Sequence, residues 1–190
     1  MDGLLVDTEP LWFETEGEVM ARLGGGPWAR EDQERLLGGS MEKTVSYLLA
    51  KATRPVPPTD IARWMMDGML RRAAEGRIVV RPGARELIAA VAAADVPYAL
   101  VTSSEREFAD AVLVGTGFRF PVTVTADDAP ATKPAPDPYL QAAKLLHADP
   151  GNCVALEDSP NGVASATAAG CRGLDSRSGR ERSIAADLRG

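Results

Sequence analysis

Met1-Asp2-Gly3-Leu4-Leu5-Val6-Asp7-Thr8-Glu9 is the stretch on which the reading of this chain turns. It has the form of the tail of a strand running into a tight acidic turn. Gly3 permits a backbone turn where a side chain would clash. Leu4, Leu5 and Val6 make a short apolar patch. Asp7, Thr8 and Glu9 then offer caps and negative charge just before a helical pattern. An acidic turn beyond the end of a buried strand is where an α/β sheet can hold magnesium and phosphate.

Moving outward, residues 10–23 carry a helical repeat, with Leu11, Glu14, Glu18 and Arg22 on one stripe and Trp12, Val19 and Leu23 on another. Gly24-Gly25-Gly26-Pro27 ends it, and without a following Lys-Ser or Lys-Thr this glycine run is a helix stop and not a P-loop. A short helix is predicted over 30–37. A second begins at Ser40 with Val45, Leu48 and Leu49 inward, and a longer one starts with Thr59 as its cap and buries Ile61, Trp64, Met65 and Met69. Residues 10–76 therefore read as an all-helical block. The period then changes. Ile78-Val79-Val80, Val96–Thr102, Val122–Val124 and Cys153–Leu156 read as strands. Between them lie helices over 84–91, 105–114, 137–146 and 160–169. Strand–helix alternation with apolar strands means an α/β fold with a Rossmann-like parallel sheet. The expected domains are a core of residues 1–9 and 77–190 and an inserted helical cap of residues 10–76. The tail from Arg172 is poor in apolar residues, and only a short edge or disorder is expected there.

The bulk properties exclude several classes. The 190 residues suit one domain with a modest insertion. A net charge of -6 argues against nucleic acid or an anionic membrane as partner. No apolar run reaches the ~20 residues needed to cross a bilayer, and no signal peptide is visible, so a cytoplasmic monomer is expected. Cys153 and Cys171 are too few and too far apart in sequence to suggest a zinc cluster or a redox pair, and are expected as buried free thiols. His147, the only histidine, falls at a helix end away from every motif, which sets histidine phosphotransfer aside.

Ligands of open parallel sheets bind beyond the carboxyl ends of the strands. Those ends supply Asp2 and Asp7, then Thr102-Ser103-Ser104, then Asp127 and Asp128 followed by Thr132-Lys133-Pro134, then Glu157-Asp158-Ser159. Each group alone has an ordinary explanation as a turn, a helix cap or a surface residue. All four at successive strand ends assemble carboxylates for magnesium with hydroxyl, amide and lysine donors for phosphate oxygens, which is the chemistry of phosphoryl transfer.

In these four motifs the chain resembles the haloacid dehalogenase-like phosphatases with a helical cap, the branch that includes sugar-phosphate phosphatases and β-phosphoglucomutases. The first motif matches Met1-Asp2-Gly3 with Asp7-Thr8-Glu9, the second Thr102-Ser103-Ser104, the third Lys133 in Thr132-Lys133-Pro134-Ala135-Pro136-Asp137, and the fourth Glu157-Asp158-Ser159-Pro160-Asn161-Gly162. The resemblance implies a magnesium-dependent hydrolase acting on a small phosphorylated metabolite through an aspartyl-phosphate. Asp2 would be the general acid, with its backbone carbonyl on Mg2+. Asp158 would bind the metal directly and Glu157 directly or through water. Gly3, Thr102, the Ser103 amide and Lys133 would surround the phosphoryl group. Glu9 and Trp12 would face the substrate from the hinge and the cap, which would act as a lid. The family nucleophile lies two positions before Asp2, and Met1 occupies the intervening position. The resemblance therefore carries the expectation of a chain that starts inside its first motif, through a misplaced start or a truncation, with a non-catalytic phosphate-binding regulator as the alternative. A sugar-phosphate mutase is the other alternative, and it is disfavoured by Trp12 and Met41, which stand where mutases of this branch carry a histidine and an arginine.

Overall fold

The computed structural model describes residues 1–36 and 39–175. The chain opens with a turn. The Met1 carbonyl accepts N–H bonds from Leu4, Leu5 and Val6, and Gly3, at φ +72°, donates back to the Val6 carbonyl. These bonds are local, so the segment curls where the sequence suggested a strand tail, and the Leu5 carbonyl then accepts from the Arg81 N–H. Only then does β1 (Val6–Asp7) form, antiparallel to β2 (Val79–Val80). This small hairpin-like pair brackets everything inserted between its strands.

The insertion is helical throughout its described residues: α1 (Glu9–Arg22), α2 (Arg30–Glu34), α3 (Met41–Lys51) and α4 (Pro58–Ala74). Ser40 caps α3 by accepting from the Lys43 N–H, as its position predicted. Pro57, and not Thr59, is the N-cap of α4, because Pro58 takes the first helical position where its missing N–H costs nothing. The helix expected over 30–37 ends at Glu34, and Leu37 lies outside the described residues. Ile61, Met65 and Met69 are fully buried on one face of α4, while Trp64 is half-buried beneath the Arg22 guanidinium. Val19, Met20, Leu23, Val45 and Leu48 complete that core. One turn beyond Met69, Arg72, 2% exposed, is satisfied by Glu14, Glu18 and the Gly68 carbonyl.

The second half alternates as expected: α5 (Ala84–Ala93), β3 (Ala99–Val101), α6 (Arg106–Thr116), β4 (Val122–Val124), α7 (Asp137–Leu145), β5 (Val154–Glu157), α8 (Pro160–Ala168) and β6 (Arg172–Asp175). The strands β3–β4 and β5–β6 pair in parallel. The tail from Arg172 begins with the short edge that was expected: four ladder pairs with β5 and packing on α8 hold β6 despite its polar sequence; residues 176–190 lie outside the described residues. The parallel strands form two pairs and not one continuous sheet, since residues 1–5 curl instead of pairing. Accordingly Val154 and Leu156 are exposed on one face of β5, and Leu87 of α5, expected inward, is 45% exposed.

The helical block and the α/β half share one core. Leu11, Met66 and Met69 from α1 and α4 pack with Leu100, Phe108 and Val112, joined by Met1, Leu5 and Val6. Trp12 bridges this cluster and the helical one, edge-on to Phe108 at 5.9 Å.

Candidate active site

Asp2, Thr102, Lys133, Glu157 and Asp158 converge although they come from four separate segments. The Asp2 carboxylate accepts from two hydroxyls: Thr8 at 2.6 Å on one oxygen and Ser104 at 2.7 Å on the other. Thr8 begins α1 but makes no side-chain cap bond; its hydroxyl serves Asp2 instead. Thr102, 4% exposed at the end of β3, donates to the Ser104 hydroxyl at 3.1 Å and accepts from the Ser104 N–H at 3.1 Å. A relay thus runs from Thr102 through Ser104 to Asp2. Ser104 was legible only as part of its motif. Ser103 is exposed beside it.

Lys133 is buried, and its Nζ donates to the Val101 carbonyl at 3.0 Å and to Glu157 Oε1 at 2.5 Å, with Tyr139 Oη at 3.5 Å. The Tyr139 hydroxyl donates to the same Glu157 oxygen. Burial, then the Glu157 charge and this hydrogen bond, push the Tyr139 phenol above its ordinary range, so it stays a donor. Sequence reasoning missed Tyr139 entirely. The other Glu157 oxygen fills the space over Gly162, where a Cβ would lie 1.9 Å from it. Next door, Ser159 caps α8 by accepting from the Gly162 N–H at 3.0 Å.

Asp158 lies against Gly3, whose added Cβ would stand 1.9 Å from Asp158 Oδ2. Burial pushes the Asp158 carboxyl up; the Met1 α-amino group opposes this, and Glu157 and Asp2 add to it. The Met1 nitrogen is itself buried, which lowers its pKa, and it feels Asp2, Lys133, Glu157 and Asp158 together. That nitrogen marks the point on which these four charged groups close.

Around the hinge, Glu9 accepts from Gln33 Nε2 through its carbonyl at 2.8 Å and its carboxylate at 3.3 Å, tying α1 to α2. Deeper in the helical block Glu16, 4% exposed, accepts from Trp28 Nε1 at 3.2 Å. Asp32 gathers Tyr47, Lys51 and the Ala29 N–H. Trp12, expected at the cleft, is held against Phe108. His147 is exposed at the end of α7, away from the cluster.

The oxygen donors suit magnesium in kind. Mg2+ is usually held by one or two carboxylates, substrate phosphate and water rather than by a full protein cage. Asp158 and the Asp2 carbonyl are donors of that sort, whereas Glu157 is committed to Lys133 and Tyr139. No group of three His, Cys, Asp or Glu side chains that could hold a metal occurs among the described residues. No helix among them is long and apolar enough to cross a membrane.

The sequence model of the haloacid dehalogenase-like hydrolases matches residues 1–174. Hexitol phosphatase B of Escherichia coli is 33% identical over 177 residues, spanning 92% of this chain and 79% of that protein. The crystal structure of CbbY from Rhodobacter sphaeroides in complex with phosphate superposes with a TM-score of 0.81 at 33% identity, covering 91% of this chain and 81% of the other. A β-phosphoglucomutase of Clostridium difficile shares the fold at 21% identity, with a TM-score of 0.77, covering 92% of this chain and 80% of the other.

Proposed function

The chain belongs to the haloacid dehalogenase-like hydrolases, phosphoric monoester hydrolases with a Rossmann-like core and a helical cap, and from that premise we propose that it serves magnesium-dependent hydrolysis of a small phosphorylated metabolite, a sugar or sugar-alcohol phosphate. The observation that carries this reading is the environment of the Met1 nitrogen, buried among Asp2, Lys133, Glu157 and Asp158. The family nucleophile is the residue bonded to that nitrogen, and residues 1–190 contain no carboxylate there. An aspartate in that place would meet Lys133, which balances its charge and that of the phosphoryl group. Asp2, held by Thr8 and Ser104, would give a proton to the leaving oxygen and later take one from water. Thr102 and the Ser103 amide would hold phosphoryl oxygens. Asp158 and the Asp2 carbonyl would hold Mg2+, which when bound supplies positive charge to the phosphoryl oxygens. Helices of the 10–76 segment would act as a lid that covers the site and keeps bulk water out, with the Gln33–Glu9 hydrogen bond at its hinge.

The test is phosphate release from a panel of sugar, sugar-alcohol and two-carbon acid phosphates. It compares residues 1–190 with a form carrying an apolar upstream strand that ends in aspartate. Magnesium-dependent release by the longer form alone is the expected result. Phosphate binding without turnover in either form would instead establish a ligand-binding regulator, and conversion of a hexose 1-phosphate to its 6-phosphate would establish a mutase.

A further inference from the structure

The β5–β6 ladder brings together two side chains that lie apart in sequence. Its register pairs Val154 with Arg172, and the Arg172 N–H donates to the Cys153 carbonyl at 3.0 Å, so the parallel pairing extends one residue back. The residue opposite Cys153 is Cys171. Directly paired residues of parallel strands point to the same face. That face is the inner one, since Cys171 and Ala155 are buried in one small apolar cluster and Cys153 packs against it. Neighbouring strands run about 4.8 Å apart, inside the ~4.4–6.8 Å Cα separation that a disulfide spans. Both thiols are free.

We propose that Cys153 and Cys171 are an oxidisable dithiol that closes into a cross-strand disulfide, a modification site outside the phosphatase centre. Cys153 is the entry point. It is half-buried, whereas Cys171 is buried, and its Sγ lies 3.3 Å from the Asp149 carbonyl at the protein's edge. The oxidant is a hydroperoxide. The Cys153 sulfur attacks the terminal peroxide oxygen, the O–O bond breaks, and the alcohol leaves with a proton, giving a sulfenic acid. The Cys171 sulfur then attacks the Cys153 sulfur. The S–O bond breaks, and hydroxide leaves as water with the Cys171 proton. Two thiols lose two electrons and two protons, and the peroxide becomes alcohol and water. Burial raises both thiols above their ordinary range, so this is a slow, stress-level reaction and not that of a fast peroxidase centre. The bridge would staple the edge strand β6 to β5, at the end of β5 opposite Glu157 and Asp158.

The experiment treats the full chain with tert-butyl hydroperoxide, native and in urea. It then maps peptides by mass spectrometry without reduction and records thermal unfolding. The expected result is a Cys153–Cys171 linked peptide in the monomer, formed faster in the native chain than in urea. Closing a loop of this length should raise Tm by roughly 5–10 °C, an effect reversed by dithiothreitol. In Cys171→Ala, with thermal unfolding confirming a folded chain, dimedone should trap the sulfenic acid at Cys153. Sulfinic acid on Cys153 beside an untouched Cys171 in the unsubstituted chain would overturn the proposal. Disulfides only between chains, or a bridge forming as fast in urea as in the folded protein, would do the same.

Discussion

Glu16→Gln should stabilise the protein at alkaline pH and leave it nearly unchanged in mild acid. Glu16 is 4% exposed on α1, and its carboxylate accepts a hydrogen bond from Trp28 Nε1. Burial pushes its carboxyl from 4.5 to about 7, against the opposing Trp28 bond and with Glu9 and Asp32 adding to the push. The folded chain therefore binds this proton more tightly than the unfolded chain does. Between pH ~4.5 and ~7 the unfolded state loses the proton first, so stability falls as pH rises through that window, and the cost is complete above it. At 1.36 kcal/mol per pH unit the gap amounts to about 3 kcal/mol as an upper bound. Glutamine keeps an oxygen for Trp28 and carries no charge. Urea unfolding of the wild-type protein and Glu16→Gln, followed by tryptophan fluorescence at pH 4.5 and pH 8.5, measures the difference directly. A gain of about 1–3 kcal/mol at pH 8.5 that shrinks toward zero at pH 4.5 is expected. Equal effects at the two pH values would refute the reasoning, because they would locate the change in packing and not in the buried charge.

Three further outcomes are expected. Asp32 is held down to about 2 by Lys51, the Ala29 N–H and Tyr47, so its contribution is present above pH ~4 and lost as pH falls toward 2; Asp32→Asn should cost about 1.5–3 kcal/mol at pH 7 and flatten that acid limb in urea titrations. Gly3→Ala puts a Cβ 1.9 Å from Asp158 Oδ2 at a left-handed φ, so calorimetry should show Mg2+ binding weakened at least tenfold even where the circular dichroism spectrum is native. Tyr139→Phe removes one donor from Glu157 while keeping the ring, and should cost about 1–2 kcal/mol of stability by thermal unfolding; a change within error would remove Tyr139 from the site.

The legible parts were those whose signal is local. Ser40 capping α3, Ile61, Met65 and Met69 facing inward on α4, and the order of strands and helices after residue 77 all follow from spacing within one or two turns. The illegible parts depended on which groups the fold brings within reach of one another. Thr8 reads as a cap from its neighbours, but Asp2 lies within reach and takes the hydroxyl. Cys153 and Cys171 look unrelated until the register of β6 against β5 is known. Likewise Leu87 has helical spacing but is left exposed, since periodicity states which face a helix would bury and not whether a partner is present.

Adjacent acids at the end of β5 show how far residue type can take the argument and where geometry takes over. Glu157 and Asp158 are both carboxylates, and spacing alone offers both to a metal. The structure separates them. Glu157 points into the protein, with Lys133 and Tyr139 on one oxygen and the other lodged over Gly162. Asp158 points the other way, onto Gly3 and toward Asp2. β5 ends at Glu157, and Asp158 begins the turn into α8, which lets the two side chains part. On the proposed function, the inward acid would fix the lysine and the outward acid would meet a cation. Replacing Glu157 by Gln should therefore weaken phosphate binding more than Mg2+ binding, and replacing Asp158 by Asn should do the reverse. Calorimetric titrations of both ligands on both variants give the four values needed, and the same ranking for the two variants would show that the acids share one role.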